Sequence, residues 1–104
     1  MSIQAKSLAD GQLPSSKGTL YTCGTTSAFI RVIRTTSTID SQTVVIYVKR
    51  NGSVSRALGQ AFLNTAETEE WLDNALELSN GDVIEGYATN AAAVDYTITG
   101  AEQT

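Results

Sequence analysis

The chain has no histidine, and Cys23 is its only cysteine. Those absences exclude a good deal of chemistry. A Ser-His-Asp or Cys-His arrangement cannot be built without an imidazole, and a Ser-Lys or carboxylate-only substitute would need positional signals that do not occur. An intrachain disulfide has no second thiol, and a structural zinc site within one chain lacks its ligands. Cys23 is expected to serve as a small apolar side chain at a strand end rather than as a reactive thiol. Pro14 is the sole proline, and aromatic residues make up only 7%. Apolar runs are too short for a membrane-spanning helix, and the start MSIQAKSLADGQ lacks the apolar block of a secretory signal. The expectation is a protein made in a cytoplasm, with no membrane partner. No glycine-rich phosphate loop, nucleotide fingerprint or internal repeat occurs, so no cofactor and no enzyme activity are expected.

What is present points to β structure. The 104 residues suit one domain, and 41% hydrophobic with 17% charged residues is the balance of an ordered globular chain. A net charge of −4 argues against nucleic acid as the main partner. The distribution is uneven. All seven basic residues precede position 57 with only Asp10 and Asp40, a net of +5, whereas the remainder carries nine acidic residues and no basic one. Either the halves interleave and neutralise each other, or opposite signs occupy different surfaces and favour head-to-tail contact between copies.

Residues 1–18 hold Pro14, Gly11, Gly18 and sparse apolar positions, which suggests an extended N-terminal arm. It is either a frayed end or a segment that orders on a neighbour. From Thr19 to the end, 19–104, the texture is that of a β-sandwich domain: TLYTC, SAFIRVIRTT and TVVIYVKR are rich in β-branched residues and separated by turn signals. SAFIRVIRTT is expected to be a central strand. Asn51-Gly52 between two β runs favours a two-residue type I′ hairpin turn, which also accounts for the match of Asn51-Gly52-Ser53 to a glycosylation pattern. Lys49, Arg50 and Arg56 flank it, either as a contact patch for an acidic surface or as a solvated tip.

Within AFLNTAETEEWLDNALEL, Asn64 and Glu67 resemble a helix capping box, but the surrounding β texture favours strand pieces broken at Asp73-Asn74. Trp71 is expected to anchor the core. VIEGYAT and AVDYTITG alternate and read as a terminal hairpin. The small residues Gly86, Ala88 and Ala91 to Ala93 permit close backbone approach, at a subunit contact or inside the sandwich. Asp82, Glu85 and Asp95 lie near turns, yet their spacing is not that of an EF-hand. The pairs Glu69 with Glu70 and Glu85 with Asp95 lack the cleft that glycosidase chemistry needs.

The stretches GQLPSSKGTLYT, VVIYVKRNGSVSRAL and LELSNGDVIEGYATNAAAVDYTITGAE together resemble small virion-associated proteins of tailed bacteriophages and prophages. The resemblance implies an all-β fold, a single antiparallel β-sandwich of jelly-roll or Ig-like type, present in many copies as a homo-oligomer. It implies a structural virion protein, a capsid decoration or cement protein, made in the host cytoplasm and partnered by the major capsid protein or tail proteins. The alternative is a tail fibre, baseplate or adaptor component. A third reading is a carbohydrate-binding module stacking sugars on Tyr21, Tyr47, Trp71 or Tyr87. The resemblance carries over no functional residues; Leu13, Pro14, Lys49, Arg50 and Arg56 are the candidate partner contacts.

Overall fold

β-Branched side chains are stiff at χ1 and pack well on a pleated surface, and the segments rich in them fold as strands. The computed structural model describes residues 3–71 and 76–103. Among these residues it has strands β1 (Ile3–Gln12), β2 (Gly18–Thr22), β3 (Ser27–Ser37), β4 (Gln42–Lys49), β5 (Ser55–Leu63), β6 (Thr68–Glu70), β7 (Leu76–Ser79), β8 (Val83–Ala88) and β9 (Val94–Gln103). One sheet runs β1-β9-β3, with β6 and β7 sharing the far edge of β3; the other runs β2-β8-β4-β5. The fold is the expected all-β sandwich. The strand expectation for the Trp71 region holds at β6 and β7, while the Asp73-Asn74 break lies outside the described residues.

The pairing decides between the two sandwich types. First meets last (β1 with β9), second meets next to last (β2 with β8), β3 meets β6 and β7, and β4 meets β5. The chain is therefore one long hairpin rolled so that successive pairs alternate between sheets, which is a jelly roll. Residues 83–88 and 94–99 consequently do not form a hairpin with each other. β8 pairs with β2 and β4, and β9 with β1 and β3. Alternation reports which side chains face inward, not which strand lies alongside. Thr89 to Ala93 instead crosses between sheets, with Ala92 in the left-handed region at φ 61° and hydrogen bonds from Ala92 N to Leu13 O and from Ala88 N to Pro14 O.

Residues 3–12, expected as part of an arm outside the 19–104 sandwich, are laid against β9 as the edge strand of the first sheet. Each of the edge strands β1, β2 and β5 has one extra residue that shifts its register, and in each case it is a leucine: Leu8, Leu20 and Leu58. Leu20 is buried, and Leu8 and Leu58 pack against the core. The bulges thus turn apolar side chains inward and twist the edges.

β3 is the central strand expected, with a bulge at Arg31 between Ile30 and Val32. Strict alternation would put the two arginines on opposite faces. The bulge resets the phase, so Ile30 and Ile33 both point into the core while Arg31 and Arg34 are exposed. The core is completed by Leu13, Val44, Ile46, Leu78, Ile84, Val94 and Ile98, all fully buried. Gly86 faces this core: a Cβ there would lie 2.9 Å from Ile46 Cδ1 and 3.0 Å from the Val45 carbonyl oxygen. The small residues of β8 therefore serve the inside of the sandwich.

Candidate functional site

The exposed large apolar side chains among the described residues, Ile39, Val54 and Phe62, lie at or beside two ends of the sandwich. The first end is the tip of the β4–β5 hairpin. Its loop is residues 50–54 rather than two residues, because Lys49 pairs with Ser55. Ser53 N bonds Arg50 O at 2.9 Å, and of Asn51 and Gly52 only Gly52 has positive φ, at 74°. That is the pattern of a type II turn, not the expected type I′, which needs positive φ at both positions. Asp82 explains the difference. Its buried carboxylate accepts Asn51 N at 2.8 Å, Ser79 N at 2.9 Å and Arg50 Nη1 at 3.0 Å, pinning the hairpin loop to the β7–β8 turn. Burial alone would raise the Asp82 pKa, but the two backbone N–H groups and the guanidinium outweigh it and hold the carboxyl below its usual range.

At this tip Arg50 is committed to the fold, since its Nη1 also donates to Glu77 O at 2.7 Å. Lys49 and Arg56 are exposed, and neither forms an ion pair among the described residues. Val54 stands between them in sequence, 63% exposed.

The opposite end is a pair of loops, residues 38–41 and 64–67. Asp40 Oδ1 accepts Thr65 N at 3.0 Å and Thr65 Oγ1 at 2.9 Å, which holds its pKa below the ordinary value, and Asn64 Oδ1 accepts Ser41 N at 3.0 Å. Asn64 N donates to Glu67 Oε1 at 2.6 Å, and Glu67 N to Asn64 O at 3.0 Å. Half of the capping box seen in the sequence is present, the Glu67 carboxylate on Asn64 N; the Asn64 side chain accepts Ser41 N instead, and the pair closes a turn rather than starting a helix. Ser41 and Ala66 both adopt left-handed φ, 63° and 67°. The loop pair is held in one shape by these bonds, at some backbone cost. Ile39 and Phe62 are exposed at or beside this end, Phe62 to 75%, and Asp40 and Glu67 are exposed here as well.

Of the five residues singled out from the sequence, Lys49 and Arg56 are both exposed at the tip, Lys49 paired with Ser55 and Arg56 with Val48, and Arg50 is spent on Asp82. Leu13 is fully buried, with its N–H on Val94 O, so it offers no surface to a partner. Pro14 is half-buried, and its carbonyl accepts Ala88 N. Ile39, Val54, Phe62, Asp40 and Glu67 were not anticipated. Phe62 in particular sits between Ala61 and the buried Leu63, where only the register reveals that it faces outward.

The four candidate stacking aromatics are divided. Tyr21 is buried and donates its hydroxyl to Glu102 Oε2 at 2.6 Å. Trp71 packs at the core margin; its indole N–H donates to the buried Thr35 Oγ1 at 2.9 Å, and its ring lies against Gly59 of the other sheet, which is the anchoring role expected. Tyr47 and Tyr87 lie on the outer face of the second sheet with ring centroids 6.3 Å apart, and the Lys17 ammonium sits 4.9 Å from the Tyr47 centroid. Ser55 Oγ bonds Glu85 beside them. Both ion pairs among the described residues, Arg34–Glu70 at 2.6 Å and Arg50–Asp82 at 3.0 Å, join the basic half of the sequence to the acidic half. The halves do interleave. Cys23 is 1% exposed, as a structural thiol should be.

No protein-family model matches the chain, and no match was found among curated proteins. Among solved structures, the chain is similar in fold to a protein of the disulfide-linked pili formed by Bacillus endospore appendages, at a TM-score of 0.55 and 13% identity, over 99% of this chain and 88% of that one.

Proposed function

We propose that the chain is a non-enzymatic building block used in many copies, whose work is to occupy a place in a larger protein assembly. The observation that carries this reading is the extent of the likeness to a pilus protein: 99% of the chain aligns, so nearly every residue belongs to the shared scaffold. The polar groups support it. Asp82, Arg50, Asp40, Glu67 and the Trp71 indole are engaged in holding loops and sheets together. Unlike the pili described, an assembly of this chain would be non-covalent, because its one thiol is buried.

A second reading keeps a particle but changes its kind. The sequence pattern favours a decoration or cement protein on a phage capsid, or a tail component, partnered by other virion proteins. One set of measurements separates these. Sedimentation and negative-stain microscopy of the purified chain should yield defined oligomers or filaments if it builds structures by itself. Mass spectrometry of purified phage would instead find hundreds of copies for a shell protein and a handful for a tail protein. A chain that stays monomeric at high concentration and associates with no particle would overturn the building-block reading.

A further inference from the structure

The exposed large apolar side chains among the described residues all lie at or beside the two ends of the sandwich, in surroundings of opposite charge. Val54 is at the hairpin tip with the exposed cations Lys49 and Arg56, while Ile39 and Phe62 are at the loop-pair end with the exposed carboxylates Asp40 and Glu67. Strand direction makes these ends opposite: β4 runs from Gln42 at the loop pair to Lys49 at the tip, and β5 returns from Ser55 to Leu63. The molecule is elongated, 44 × 26 × 21 Å. Exposed apolar side chains accompanied by cations at one end and by carboxylates at the other offer the core and rim of an interface.

We propose that copies of this domain dock end to end, the Lys49/Val54/Arg56 tip of one copy seating on the Ile39/Asp40/Phe62/Glu67 loop pair of the next. The proposal rests on the building-block reading and adds to it the surface and the partner, a second copy of this chain. Both surfaces are set before contact, the tip by the three bonds to Asp82 and the loops by Asp40, Asn64 and Glu67, so little ordering cost remains to be met on docking. Because two different patches meet, the contact is heterologous and propagates into a ring or a filament. The bulges on β1, β2 and β5 fit this geometry, since they discourage growth through the sheet edges.

Two variants test it, each checked for folding by circular dichroism and Trp fluorescence. One reverses the tip charges (Lys49→Glu with Arg56→Glu); the other makes the loop end polar (Ile39→Ser with Phe62→Ser), leaving the Asp40 and Glu67 bonds in place. In sedimentation at low salt, wild type should form a concentration-dependent series that weakens as salt rises. Each variant alone should associate at least about tenfold more weakly. Mixed together they should form a 1:1 complex and stop there, since each retains the end that the other lost. Wild-type assembly with both variants unimpaired would overturn this contact while leaving the building-block reading intact. So would a mixture in which folded variants fail to pair. A wild type that remains monomeric under all conditions would overturn this contact, and the building-block reading falls with it only if the chain also associates with no particle.

Discussion

Gly100 lies opposite the bulge at Arg31, where a Cβ would come within 2.0 Å of the Phe29 carbonyl oxygen. The obstacle is backbone in the central strand and cannot rotate aside. Gly100→Ala is expected to destabilise the fold by about 3 kcal/mol, measured by urea unfolding. Gly24→Ala is the control: nothing lies within 4 Å of that position, and the change should stay within about 0.5 kcal/mol. Trp71→Phe leaves the buried Thr35 hydroxyl without its indole donor and should cost about 1–3 kcal/mol on the same assay. At this scale the sequence was partly legible. Trp71 as an anchor and Cys23 as a buried thiol followed from residue type, whereas Leu13 looked like part of a loose arm because its polar neighbours hide a fully buried side chain.

Strands were legible as elements, their partners less so. The β-branched runs marked β2, β3, β4, β8 and β9, but a bulge leaves no local signature. The phase reset at Arg31 and the inward leucines of β1, β2 and β5 therefore emerged only with the register. The same holds for Asn51-Gly52, whose local preference for a tight turn was overridden by the distant Asp82. That buried carboxylate ties two loops, and Asp82→Asn should cost about 1–3 kcal/mol by taking the charge out of three hydrogen bonds that hold them. Its pH dependence has a definite sign. A carboxyl held below its ordinary value in the folded state contributes stability above that value, about 3.9 when unfolded, and loses the contribution as pH falls through the folded pKa. Acid titration of thermal stability should therefore show a fall below about pH 4 that is smaller in Asp82→Asn.

For the molecule as a whole, tyrosines govern the alkaline limit. Burial and the bond to Glu102 push the Tyr21 phenol up; burial, Tyr87 and Glu85 do so for Tyr47; burial and Asp10 do so for Tyr96. In the unfolded chain these groups ionise near about pH 10, so above it the unfolded state sheds protons that the folded state keeps. Stability should fall from about pH 10 upward, and Tyr21→Phe should soften the fall. Any assembly of the chain should also survive reducing agent and come apart in detergent, since Cys23 is inaccessible; a reductant-sensitive oligomer on a non-reducing gel would contradict this. The rolled hairpin has one more consequence, for synthesis. Ile3 pairs with Gln103, and β3 has β9 as its neighbour over ten residue pairs. The first sheet is missing its middle until residues 94–103 leave the ribosome, so a nascent chain stays open until this stretch has emerged. Such long-range closure belongs with slow folding, on the order of milliseconds to seconds.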